Sequence, residues 1–131
     1  MINLLTNALK FSKEGDVIRV DAFMETISED NVKLSFKVID SGIGVSEHDL
    51  SDLFKPFFRS KDKLSLQTNK NGSGLGLHIC QNILKQLDGK ISVSSQIGKG
   101  SAFTVTFRTV KSDKKFEEKP HSVSLFKYVM F

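Results

Sequence analysis

The stretch Val32-Lys33-Leu34-Ser35-Phe36-Lys37-Val38-Ile39-Asp40-Ser41-Gly42-Ile43-Gly44 decides the fold. Val32, Leu34, Phe36 and Val38 alternate with Lys33, Ser35 and Lys37, the two-residue period of a strand with one buried face. The strand runs straight into a glycine-rich loop, with Asp40 at the junction. Two readings of that junction are open. It is a plain turn with Asp as turn former, or Gly42 and Gly44 admit a close neighbour while Asp40 accepts a hydrogen bond from an amine.

Upstream, Asp16 to Met24 is rich in β-branched residues, and the polar, acidic turn Thr26 to Asn31 joins it to the first strand as a hairpin. Ahead of it, Met1 to Phe11 has a helical pattern. Met1, Ile2, Leu4, Leu5, Ala8 and Leu9 fill one arc, and Asn3, Thr6, Asn7 and Lys10 fill the other. Downstream, Ser46-Glu47-His48-Asp49 resembles a capping box for a short helix through Leu50, Leu53 and Phe54, stopped by Pro56. Residues 59–72 have no clean period and form a long loop, the kind that usually has a function or is disordered. Gly72-Ser73-Gly74-Leu75-Gly76-Leu77 then opens a helix with the expected buried stripe Ile79, Cys80, Ile83, Leu84 and Leu87 and a stop at Gly89. Lys90 to Gln96, a turn at Gly98-Lys99-Gly100, and the alternating Phe103, Val105 and Phe107 make a closing hairpin. These readings give one α/β (α+β) two-layer sandwich over residues 1–109, with a mixed, mainly antiparallel sheet and helices on one face. Residues 110–131 read as a basic and apolar tail, poorly ordered.

Composition bounds the function. The 131 residues suit a single domain, and a net charge of +4 without a basic face at helical spacing argues against nucleic acid as a partner. The lone Cys80 excludes an intrachain disulfide and a cysteine zinc site and favours a reducing compartment. No apolar run reaches the ~18 residues of a bilayer span, and the N-terminus lacks the marks of a signal peptide. The expectation is an intracellular, cytoplasmic segment with no membrane insertion of its own, compatible with a membrane-bound parent protein.

Three constellations bear on chemistry. Asn3, Asn7 and Lys10 line up at spacings of four and three on one helix face; an amide oxygen suits magnesium and a lysine suits phosphate, although such residues are commonly only solvated. Asp40 could meet an exocyclic amine such as that of adenine. The Gly72, Gly74, Gly76 series at a helix start exposes amides to an anion, with a simple hinge as the alternative. It fits neither the Walker loop nor the dinucleotide fingerprint.

In order along the chain, Asn3 to Ser12, Asp40 to Gly44, Leu53 to Arg59 and Gly72 to Leu77 closely resemble the N, G1, F and G2 boxes of histidine kinases. Those belong to the wider ATPase family of gyrase B, the heat-shock chaperone and the mismatch-repair ATPases, with its Bergerat-type fold. The resemblance covers about Met1 to Phe107.

That resemblance implies ATP and Mg2+ as cofactors and phosphoryl transfer to a histidine elsewhere. Asn7 matches the magnesium ligand, Asn3 faces the attacked phosphate, and Lys10 touches the phosphates. Phe11 lies beside the nucleotide, Asp40 recognises the adenine amine, and Gly42 and Gly44 shape the adenine pocket. Arg59 matches a lid position that reaches the γ-phosphate in some relatives. Gly72, Ser73, Gly74, Leu75, Gly76 and Leu77 hinge the lid and hold the triphosphate, and Phe54, Phe57 and Phe58 seat it by packing. Hydrolysing relatives carry Glu where this chain has Asn3, which tilts the reading from hydrolysis to transfer.

The family's first strand and the earlier turns of its first helix have no counterpart here, so an N-terminally truncated domain is expected. His48, His78 and His121 match no phosphoacceptor box, so the implied partners are a histidine-bearing dimerisation domain and a receiver domain of a response regulator downstream. Two alternatives stand beside the kinase: a truncated, non-catalytic nucleotide-binding module, and a gyrase- or chaperone-type ATPase.

Overall fold

The computed structural model describes residues 1–60 and 72–111, and the backbone of 123–129. The elements in chain order are α1 (Ile2–Phe11), β1 (Val17–Thr26), β2 (Asn31–Asp40), α2 (Glu47–Leu50), α3 (Gly76–Gln86), β3 (Lys90–Gln96), β4 (Gly100–Val110) and β5 (Val123–Val129). The strands form one sheet in the order β3-β4-β2-β1-β5, and every described pairing is antiparallel. α1 packs over β2, α3 over β3, and the two helices touch. The two-layer architecture expected from the sequence is the one observed.

The period of β2 sets which side is buried. Val32 and Val38 are buried, and Val38 is fully enclosed with Leu4 of α1. The cross-strand partners of Val38, Val20 on β1 and Phe103 on β4, share that face. With Ala8, Ile18, Leu84 and Ile91 they make the core, and Phe36 stacks on Phe107 with ring centroids 6.2 Å apart. Asp40 stands two residues beyond Val38, so the same alternation turns its carboxylate inward, where it is only 6% exposed.

Several sequence expectations are corrected. The N-cap half of the capping box is present, with the Asp49 N–H donating to Ser46 Oγ at 3.2 Å, while Asp49 Oδ1 lies 3.3 Å from His48 Nδ1. The helix is a single turn, however, and Leu53 and Phe54 lie in the turns that follow, closed by i→i−3 bonds such as Asp52 N–H to the Asp49 carbonyl at 3.1 Å and Lys55 N–H to the Asp52 carbonyl at 2.9 Å. On α3, Leu77, Cys80 and Leu84 face the core, whereas Ile79, Ile83 and Leu87 are about half exposed, at 46%, 52% and 51%. The sheet lies under one stripe of that helix only. Asp88, not Gly89, takes the left-handed position at the end of α3 (φ 49°), and the Gly89 N–H closes the turn on the Leu84 carbonyl at 2.7 Å. Ile2 and Leu9 on α1 are likewise exposed. Within the segment 110–131, Val123–Val129 forms an edge strand paired with β1, with a register shift between Arg19 and Val20.

Candidate functional site

One end of the sheet, where β2 finishes and β4 begins, opens into a cavity of about 260 Å³. Its floor is Asp40, Ser101 and Phe103. One wall is the face of α1 carrying Asn3, Asn7, Lys10 and Phe11, and the opposite wall is the glycine loop with Gly72, Ser73 and Gly74 running into Gly76 and Leu77 of α3. Gly44 and Val45 close one side, and Leu53, Phe58, Arg59 and Ser60 close another.

The loop after β2 is pinned from both directions. The Ile43 N–H donates to the Phe11 carbonyl at 3.1 Å, the Gly98 N–H donates to the Ile43 carbonyl at 2.9 Å, and the Val45 N–H donates to Ser95 Oγ at 2.8 Å. Gly44 sits at φ +72° with its Cα turned toward the Gln96 carbonyl, so a side chain there would be strained and would strike backbone. Asp40 is held within this frame, its Oδ1 accepting from the Gly42 N–H at 3.0 Å. Burial pushes its carboxyl above the usual aspartate range; the backbone N–H groups of Gly42 and Ser101 oppose that shift, and the charge of Asp16 adds to it.

On α1 the spacing works as expected. Asn3, Asn7 and Lys10 share one stripe facing the cavity, while Leu4 and Ala8, one position further round, face the sheet. The Lys10 ammonium lies 5.8 Å from the centroid of the Phe11 ring, so both are fixed on the same rim. Asn3 donates through Nδ2 to the Gly76 carbonyl at 3.3 Å and to Cys80 Sγ at 3.6 Å.

The glycine loop meets the segment before residue 60 back to back. Gly74 has φ +70°, and a Cβ on it would collide with the backbone of Phe57 and Phe58. Leu75 precedes α3, and its N–H lies 3.4 Å from Ser73 Oγ.

A family model described as histidine kinase-, DNA gyrase B- and HSP90-like ATPase matches residues 1–111. The chain belongs to this family. Among its relatives, the sensor histidine kinase GacS of Pseudomonas protegens is 37% identical over 120 residues, which cover 92% of this chain and 13% of GacS. The chain thus spans a small part of such curated relatives. The mycobacterial sensor histidine kinase MprB superposes with a TM-score of 0.58 at 27% identity, covering 82% of this chain and 66% of that one. Full-length ShkA in complex with AMPPNP gives 0.57 at 26% identity, covering 81% and 20%.

Within this ATPase domain, most residues singled out from the sequence meet at the cavity. Gly42 and Leu75 do not line it. Gly42 is buried behind, packed on the Phe11 carbonyl, and Leu75 serves as the residue before α3. Phe57 is exposed and Phe54 packs against the core. The long loop at 61–71 lies outside the described residues, as does His121.

Sequence reasoning missed Ser101 and Phe103 as part of the site. They sit opposite Asp40 and Val38 across the β2–β4 pairing, and that register joins strands remote in sequence. It also missed the role of His78, whose Nδ1 donates to the Phe54 carbonyl at 3.1 Å while Nε2 meets Asn82 Nδ2 at 3.0 Å. A carbonyl can only accept, so the Nδ1–H tautomer satisfies both contacts.

Among the described residues there is no group of three or more His, Cys, Asp or Glu able to hold a metal ion, and no helix long and apolar enough to cross a membrane. Magnesium commonly needs only one or two protein oxygens, the rest coming from phosphates and water. An amide oxygen such as that of Asn7, on the cavity wall beside Lys10, fits that donor set.

Proposed function

We propose that the chain is the ATP-binding catalytic module of a two-component histidine kinase, of sensor or hybrid type, which binds Mg-ATP and passes the γ-phosphoryl group to a histidine on a separate domain. The convergence of Asn3, Asn7 and Lys10, Asp40, and Gly72, Gly74 and Gly76 on one cavity carries this reading. That ShkA is seen with AMPPNP supports the ligand class.

In this reading Asp40 accepts the adenine amine with the oxygen not engaged by Gly42. Phe11 and Phe103 supply apolar walls, and Gly44 keeps side chains out of the base pocket. Lys10, Arg59 and the amides leading into α3 offset phosphate charge, since a helix start attracts anions. Asn7 would hold the metal, which when bound would supply positive charge against the phosphate oxygens.

Phosphoryl transfer needs in-line placement more than covalent help. A neutral imidazole nitrogen attacks phosphorus, the bond from the γ-phosphorus to the bridging oxygen breaks, and ADP leaves with that oxygen and its electron pair. The ring's other nitrogen then releases its proton to solvent. A water nucleophile would require a general base, and Asn3 cannot serve as one at neutral pH. The partners are therefore a histidine-bearing dimerisation domain and a receiver domain downstream, in the cytoplasm where ATP is supplied.

Incubating the chain with Mg-ATP and a separate histidine-bearing domain tests this. Label from the γ-position should reach histidine. Nucleotide binding without transfer would leave only a binding module, and steady turnover without the histidine domain would assign a hydrolase. Asn7→Asp should weaken magnesium-dependent binding and abolish transfer; unchanged transfer would refute its assignment.

A further inference from the structure

Asn3 reaches across from α1 to α3, and the chemistry of what it meets there fixes its orientation. Gly76 is the first residue of α3 and Cys80 lies one turn later, so the Gly76 carbonyl and the Cys80 thiol share one helix face. A carbonyl oxygen only accepts, so the end of the amide 3.3 Å from it must be the NH2 group. The Cys80 sulfur, 3.6 Å from the same Nδ2, acts as a second, weaker acceptor. Both contacts therefore engage one end of the amide and leave Oδ1 for the cavity that Asn3 lines. The amide and the start of α3 are neighbours without crowding: a methyl at Gly76 would stand at ordinary van der Waals distance, 3.5 Å from Asn3 Cγ and 3.8 Å from its Oδ1.

We infer that the Gly76 carbonyl and the Cys80 thiol hold Asn3 with its oxygen outward, making Cys80 a positioning residue for phosphoryl transfer. This rests on the transferase reading and refines it. An outward amide oxygen repels phosphate oxygens and instead attracts a donor. The donor that transfer brings to this place is the N–H of the incoming imidazole, which Asn3 would orient with its other nitrogen toward phosphorus. Cys80 touches neither partner in this scheme. It is half-buried and packs beside the core, so its contribution passes through the amide it restrains.

The test compares the full chain with Cys80→Val, which keeps an apolar group but removes the acceptor, and Cys80→Ser, which keeps an acceptor. Three quantities are read: affinity for a non-hydrolysable ATP analogue by calorimetry, transfer rate to a separate histidine-bearing domain at saturating Mg-ATP, and the side-chain amide signals of Asn3 in ¹⁵N spectra. C80V should bind the analogue within about twofold of the parent yet transfer on the order of tenfold more slowly, a loss of orientation rather than of binding. C80S should recover most of that rate. The Asn3 amide should move toward free-amide shifts in C80V alone. Equal losses in C80V and C80S, or parental transfer with an unmoved Asn3 amide in C80V, would overturn the inference. Should the parent chain bind nucleotide but never transfer, the kinase reading fails separately, and the Asn3 signals alone decide whether Cys80 restrains the amide. Should C80V not fold, Asn3→Asp takes its place: it sets an oxygen against the Gly76 carbonyl and should shift the Gly76 and Cys80 amide signals, whose constancy would count against the inference.

Discussion

The substitution Asp40→Asn separates binding from stability in a way that a purely structural aspartate would not. One carboxylate oxygen accepts from the Gly42 N–H at 3.0 Å. The other remains an acceptor in the carboxylate but becomes an NH2 donor in the amide variant, facing the amine of adenine, which also donates. A hydrogen bond to a charged group contributes about 1.5–3 kcal/mol, so affinity for an ATP analogue should fall roughly ten- to hundredfold. The apo protein should behave differently. Burial holds the Asp40 carboxyl above its ordinary value of 3.8, which means that ionising it opposes folding. A neutral amide of the same shape escapes that cost and can still accept from Gly42. What it loses with the Gly42 and Ser101 N–H groups, which favour the charged form, is the smaller effect. The melting temperature of the D40N apo chain at pH 7 should therefore equal or exceed that of the parent. Calorimetric titration and a thermal melt read both quantities on one sample. Affinity within twofold of the parent would refute the assignment of Asp40 to the base, and a large drop in melting temperature would show that its charge serves the fold instead.

The same carboxyl gives opposite pH slopes. Because its folded pKa is raised, its contribution to apo stability is fully present below the unfolded value and is lost as pH rises through the folded value, whereas nucleotide affinity rises over that window as the acceptor ionises; melts and titrations from pH 3.5 to 7, compared with D40N, should show both trends vanish in the variant. Gly74→Ala forces a side chain into a left-handed conformation and against the Phe57–Phe58 backbone, so it should lower stability by about 1–3 kcal/mol and weaken analogue binding, as a melt and a titration would read. Leu4→Ala removes a fully buried side chain between α1 and the sheet and should cost about 2–5 kcal/mol in a denaturant titration, with a smaller loss pointing to a core able to collapse around it.

The sequence alone marked most of the local elements, because local elements depend on local periods, but not the length of α2 or the strand β5. The alternation of Val32 to Val38, the stripe Asn3–Asn7–Lys10 on α1, the capping contact of Ser46 and the closing hairpin were all legible, and the structure contains each of them. Asp40 is open in sequence between a turn former and an acceptor, and the structure turns it inward with the parity of Val38. Tertiary structure decided everything that depends on which remote segments meet. The alternation in β2 and β4 fixes only the parity of the register that brings Ser101 and Phe103 under the cavity, because backbone hydrogen bonds are alike at every in-phase register. The apolar stripes of α1 and α3 are wider than the sheet beneath them, so pattern could not tell Leu84, buried, from Ile83, exposed. The contact of Asn3 with Gly76 and Cys80 spans more than seventy residues, and only the packing of one helix against another brings those atoms within reach.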